Sequence, residues 1–171
     1  MEQFTLSIFT ENTVGLLQRI TTVFTRRHIN IESLTTSESE LPGVHRFIIV
    51  VNCTEEMATI LCAQLDKIIG VFKAFLLRSE DVVHQELALY KVSTERLANG
   101  TLERIIRDNH LRVLTVEPDY LMIEKAGHPT ETLELFQKLE PYGIMGFTRS
   151  GTIAISKKPL NLDKYVAGEL V

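Results

Sequence analysis

The sequence predicts an α+β fold made of two ferredoxin-like βαββαβ domains in tandem. Short apolar stretches alternate between the two-residue period of a half-buried strand and the 3.6-residue period of an amphipathic helix. Between residues 1 and 78 these elements fall in the order β-α-β-β-α-β, which closes an antiparallel sheet with both helices on one face. After residue 85 the same order begins again.

In the first half, Phe4, Leu6 and Ile8 alternate with Thr5 and Ser7, giving a strand from Met1 to Ile8. A polar turn, Thr10-Glu11-Asn12-Thr13, comes next. Leu16, Leu17, Ile20, Val23 and Phe24 then form the stripe of a helix from Gly15 to Arg27. Asn30 to Thr36 reads as a second strand, and Ser37 to Gly43, with Pro42-Gly43, as a turn. The run His45 to Val51 is a strand too apolar to face water on both sides. Thr54 followed by Glu55 and Glu56 marks a helix start, a capping hydroxyl with acids at the positive end of the dipole. Met57, Ile60, Leu61, Leu65 and Ile68 make that helix's core stripe, Gly70 ends it, and Val71 to Leu77 is the fourth strand.

Residues 79–85 are polar and acidic and read as a linker between a domain at 1–78 and one at 86–158. In the second domain Leu87 to Val92 is a strand, and a helix with Leu102, Ile105 and Ile106 follows the Asn99-Gly100 break. Leu111 to Val116 and Tyr120 to Lys125 are strands joined by Glu117-Pro118-Asp119. Thr132 to Leu139 is a helix, and Gly143 to Phe147 and Gly151 to Ile155 are the last strands. The tail at 159–171 reads as loosely held. The halves repeat an architecture, with no obvious identity of sequence.

Composition narrows the function. Of 171 residues, 44% are hydrophobic and 23% charged, which is ordinary for a folded globular chain. A net charge of −4 with interleaved bases makes no field to gather nucleic acid or anionic lipid. The N-terminus does not read as a signal peptide and no stretch approaches the roughly 18 apolar residues of a spanning helix, so the expected location is the cytoplasm of a bacterium, or an organelle after removal of a transit peptide. Cys53 and Cys62 have no companion ligands at metal spacing and read as reduced thiols near a core.

No P-loop, GxGxxG, GxSxG or HExxH motif is present. The five histidines are scattered; His28 and His110 each fall at a helix-to-strand junction, where they can interact with the last helical carbonyls. Glu55-Glu56 and Glu80-Asp81 fit a helix start and a linker. No catalytic residue and no metal site is assigned.

The segment from Glu11 to Leu17 is the one suited to a ligand. Gly15 lets backbone approach another group closely, and the helix start beyond it offers unpaired N–H groups to a carboxylate. Asn12 adds an amide that donates and accepts. Equally, Asn12 or Thr13 capping the helix and Gly15 serving the turn would explain the same residues.

The run Asn12-Thr13-Val14-Gly15-Leu16-Leu17-Gln18-Arg19-Ile20, then Phe24-Thr25-Arg26-Arg27 and Asn30-Ile31-Glu32-Ser33-Leu34, resembles the ACT domain of the small regulatory subunit of acetolactate synthase. Glu86 to Val92, Val116-Glu117-Pro118, Ala126-Gly127 and Arg149-Ser150-Gly151 resemble landmarks of that family's C-terminal half. The resemblance spans roughly residues 3 to 158 and makes the first domain an ACT domain. It implies a regulatory chain without catalytic residues, acting on a separate large subunit in branched-chain amino-acid synthesis. That partner carries thiamine diphosphate, Mg and FAD; this chain raises its activity and mediates feedback inhibition by valine. Valine would sit where two ACT domains pair in a homodimer. Asn12 and Gly15 would form the turn side, with Leu16 and Leu17 beside them, and Asn30 would reach in from the neighbouring copy with Ile31 next to it. His28 stands where many members have glycine after the first helix, and Val14 where a small polar residue is usual. Two other readings are a stand-alone amino-acid-binding ACT protein acting on another enzyme or a transcription regulator, and a small ferredoxin-like enzyme.

Overall fold

The computed structural model describes residues 1–95 and 100–168; Asn99 of the expected break lies outside them. Two compact units form, Met1–His84 together with the chain from Thr152 onward, and Gln85–Gly151.

The first unit contains β1 (Glu2–Glu11), α1 (Leu16–Arg26), β2 (Ile31–Glu38), β3 (Val44–Cys53), α2 (Glu55–Leu65) and β4 (Val71–Arg78). Its antiparallel sheet has the order β2-β3-β1-β4. On β1, Phe4, Leu6 and Ile8 pack against Leu16, Ile20 and Phe24 of α1 and Leu61 and Leu65 of α2. The apolar stripe of each helix thus meets the apolar face of the strand, as the two periods require.

The alternation on β1 does not leave Thr5 and Ser7 in water; both are buried. The chain after Thr152 covers that face. Thr35 Oγ1 donates to the Thr152 carbonyl at 2.9 Å, and the Thr152 amide donates to Ser33 Oγ at 2.8 Å. Arg46 donates from Nε to Ser7 Oγ at 3.1 Å and from Nη2 to the Ala154 carbonyl at 2.9 Å. Further on, Leu160, Leu162 and Val166 pack with Phe9, Val44 and Phe75, and Phe75 meets Tyr165 edge-on at 5.5 Å. The segment expected to be a loose tail holds a short helix, α5 (Leu162–Val166). Five residues carry too little periodicity to be recognised alone.

Helix ends follow local chemistry. Thr54 Oγ1 accepts the Met57 amide at 3.3 Å and caps α2 as expected. That helix stops at Leu65, short of Gly70, where the chain tightens into i→i+3 turns, the Lys67 amide to Gln64 O at 3.3 Å and the Ile68 amide to Leu65 O at 3.1 Å. Beside this end the Asp66 carboxylate accepts the Ala74 amide at 2.8 Å and Lys73 Nζ at 2.7 Å. At the end of α1, His28 takes the left-handed conformation with φ 53°. There the His28 amide bonds Thr25 O and the Ile29 amide bonds Phe24 O, each at 3.1 Å, which is a Schellman end.

The second unit contains most of β5 (Val82–Ser93), then α3 (Thr101–Asp108), β6 (Arg112–Val116), β7 (Tyr120–Gly127), α4 (Pro129–Leu139) and β8 (Ile144–Arg149). Its strand order, β6-β7-β5-β8, repeats that of the first sheet. The expected linker at 79–85 is a 3-10 turn, Ser79–Asp81, running straight into β5. The last strand, β9 (Ile153–Ser156), belongs to the first unit, as do the opening residues of its partner β5, Val82–His84. A four-residue strand does not say which sheet it joins. At the core, buried Glu86 accepts from Thr132 Oγ1 and from Arg149 Nη1, the latter at 3.3 Å. Tyr90 donates its hydroxyl to the Thr132 carbonyl at 2.7 Å. Burial, aided by the Glu86 charge, pushes the Tyr90 hydroxyl up to about 12, so it stays a donor. His110 ends α3 with φ 52° and the same pair of Schellman bonds as His28.

Two predictions test this packing. His28 is exposed and holds a left-handed conformation that favours glycine, so His28→Gly should raise stability by about 0.5–1 kcal/mol, read as a higher urea midpoint. Leu162→Ala should lower stability by about 2 kcal/mol through the cavity left beneath the C-terminal helix; an unchanged midpoint would mean the segment after Thr152 does not cover the sheet in solution.

Candidate functional site

The ladder between β1 and β3 runs without a break from Glu2 opposite Cys53 to Glu11 opposite Val44. Four residues, Asn12 to Gly15, then turn the chain into α1. Gly15 carries the reversal with φ 84° and ψ −5°. A Cβ at Gly15 would meet nothing within 4 Å, so its demand is for backbone conformation and not for space. The capping alternative for Asn12 or Thr13 does not hold: no side chain caps α1, and Gly15 itself is the N-cap.

This helix start differs from its neighbours. The first turn of α2 holds Glu55 and Glu56 beneath the Thr54 cap, and α4 starts with a capping box completed by Glu131. The first turn of α1 holds no acid. The Leu16 amide reaches back to Thr13 O at 3.4 Å and the Arg19 amide to Gly15 O at 3.1 Å. Helical geometry leaves the amides of Leu17 and Gln18 without intrahelical carbonyls. Those amides and the dipole behind them can hold a carboxylate.

The expected site residues divide. Asn12, Gly15 and Leu17 come together, exposed, around the turn. Leu16 points the other way, 2% exposed in the core, where it supports the turn from below. Asn30 and Ile31 lie at the opposite end of the sheet. Ile31 pairs with Val51, which pairs with Phe4, whereas the turn follows Glu11. Seven residues along β1 separate those registers, or about 23 Å at 3.3 Å per residue. Asn30 is exposed and its Nδ2 donates to Glu32 Oε1 at 3.3 Å; Ile31 is partly buried against the core. Within one chain, Asn30 does not reach the turn.

Sequence reasoning missed a second wall beside the turn. The Glu11 amide donates to Gly70 O at 2.8 Å, and Arg19 Nη1 donates to Ile69 O at 2.8 Å. Ile68-Ile69-Gly70 carried only the signal of a helix end. On α2, burial pushes the Cys62 thiol up to about 11, with Asp66 adding to the effect. A protonated thiol is a poor nucleophile. No helix among the described residues is long and apolar enough to cross a membrane.

Comparisons with known proteins bear on the family and the fold. Residues 6–73 match the family model for the AHAS small subunit-like ACT domain, and residues 85–158 match the model for the small subunit of acetolactate synthase. The chain is 33% identical over 155 residues to the acetolactate synthase small subunit of Mycolicibacterium smegmatis, covering 91% of each. It is 35% identical over 147 residues to that of Bacillus subtilis, covering 85% of this chain and 86% of the relative. Its fold is similar to the crystal structure of the acetolactate synthase small subunit from Thermotoga maritima, with a TM-score of 0.86 at 23% identity, over 94% of this chain and 100% of that one. A lone ACT protein would lack the second of the two family matches. Matched in both halves and across nearly its whole length, this chain belongs to the family of acetolactate synthase small subunits.

Proposed function

We propose that this chain activates the catalytic subunit of acetolactate synthase and confers feedback inhibition by valine, bound between the ACT domains of two copies. Thiamine diphosphate, Mg and FAD belong to the catalytic partner on this reading, and the complex works in the cytoplasm. Support comes from one observation above all: the two halves of the expected site lie at opposite ends of one sheet whose edge strand, β2, pairs among the described residues with β3 alone.

Sheet geometry makes this arrangement productive. Two β2 strands paired antiparallel about a two-fold axis set the start of one against the end of the other. The end of β2, Glu38, pairs with His45, adjacent to Val44 and so to Glu11 and the turn. Asn30 of one copy is thereby carried to the end of the joined sheet that holds the other copy's Asn12–Gly15 turn. The amino acid's carboxylate takes the amides of Leu17 and Gln18. Its ammonium takes amide and backbone oxygens, and its isopropyl group lies against apolar side chains such as Leu17.

Calorimetric titration of valine into the chain, with alanine as control, should give heat for valine and little for alanine. Replacing Asn30 by Ala should weaken inhibition by about tenfold, the loss of one charge-assisted hydrogen bond, while activation of the catalytic subunit persists. Loss of activation with inhibition unchanged would sink the assignment. Gly15→Asp should weaken valine by at least about a hundredfold, since its carboxylate would face the ligand's own. Gly15→Ala bears the same backbone cost without the charge and should weaken it far less; equal losses would place the carboxylate elsewhere.

A further inference from the structure

We infer that the groove between α1 and α2 receives an acidic segment of the catalytic subunit, anchored by an apolar side chain. The inference rests on the proposed function, because it requires that partner. The groove encloses about 710 Å³ and is lined by Arg19, Arg26, Arg27 and Lys67, with no acidic residue among its walls. Four cations thus gather on one face of a chain whose net charge is −4. Among the described residues none of the four takes part in an ion pair.

Two of these side chains are already positioned. Arg19 is held by its bond to Ile69 O, and Arg27 Nε donates to Gln64 Oε1 at 3.4 Å. Each guanidinium keeps further N–H donors for a carboxylate, which it can bind bidentately. The groove also presents Val23 and Ile69, and Ile69 is 85% exposed. An occupant must therefore offer apolar surface and carboxylates together. A protein segment does so, whereas a small inorganic anion satisfies the cations alone.

The groove and the ligand turn share a wall. Ile69 precedes Gly70, whose carbonyl holds the end of β1, and Arg19 lies one helical turn beyond Gly15. A ligand that shifts the start of α1 would shift the groove, and by reciprocity a docked partner would alter ligand affinity.

The test titrates the full chain against its cognate catalytic subunit and reads synthase activation. With Arg26→Glu, Arg27→Glu and Lys67→Glu combined, half-maximal activation should need at least about tenfold more chain, and its weakening by added salt should flatten. The charge-preserving combination Arg26→Lys, Arg27→Lys and Lys67→Arg loses bidentate geometry at two positions and keeps the field, so it should weaken activation clearly less than the reversed variant does, by no more than about threefold. Circular dichroism and an unchanged thermal midpoint establish that the reversed variant is folded. Activation by the reversed variant at wild-type concentrations overturns the groove and leaves the proposed function standing. The same result with inorganic tripolyphosphate binding wild type and not the variant would reassign the groove to a small anion. A wild-type chain that neither binds nor activates the catalytic subunit overturns the proposed function, and this inference with it.

Discussion

The pairing of β1 on both sides governs the N-terminal unit. Ten consecutive residues are laddered to β3, and most of the same strand is laddered to β4. Phe4 to Thr10 are buried without interruption, so the strand cannot slip by one residue without exchanging its two faces. Its end at Glu11 is fixed from both directions, by Val44 across the ladder and by the Gly70 carbonyl. What remains, Asn12 to Gly15, must reverse the chain and launch α1 in four residues. A left-handed residue accomplishes that, and glycine adopts it at little steric cost. The turn owes its rigidity to the sheet behind it.

The same ladder sets the long separation between Gly15 and Asn30. Because β2 joins the sheet through β3, its start lies level with the beginning of β1 and its end level with the turn. No rearrangement of side chains closes a gap of about 23 Å, the reach of seven strand residues. On the proposed reading, the unpaired edge of β2 is therefore part of the site's construction. An exposed edge strand is ordinarily a liability; one that pairs with its own copy turns that liability into specificity.

Much of the fold was legible because strong local signals agreed with the tertiary result. The stripe Leu16, Ile20, Phe24 and the cap at Thr54 are set by neighbours within a few residues, and both stand where expected. The failures share a cause. The end of α2 is fastened to β4 by Asp66 through bonds to residues seven and eight positions away, which no helical pattern encodes. Thr5 and Ser7 are buried by a segment beginning some 145 residues later along the chain, so alternation on β1 showed one covered face where there are two. Leu160 to Val166 reads as a tail because its partners, Phe9 and Phe75, are remote in sequence. At the site, Gly15 and Asn12 were visible through turn chemistry. The wall at Ile69 and Arg19 was not, since a backbone carbonyl leaves no mark on the residue that bears it.

A ligand placed as proposed need not deform the core to act. If the turn of one copy and Asn30 of another together complete the site, valine binds the paired arrangement and has little affinity for any other. The paired arrangement is then stabilised by RT ln(1 + [L]/Kd), about 2.7 kcal/mol at a hundredfold excess over Kd. That is comparable to the coupling energies by which allosteric sites communicate. The β1 ladder and the helical core stay as they are, and the change falls on edge pairing and on the start of α1. Arg19 ties that helix to Ile69, so the cationic groove is the nearest surface able to register it. Regulation on these terms requires a firmly laddered sheet with an edge strand available for pairing, and β1 and β2 take those two places in the strand order.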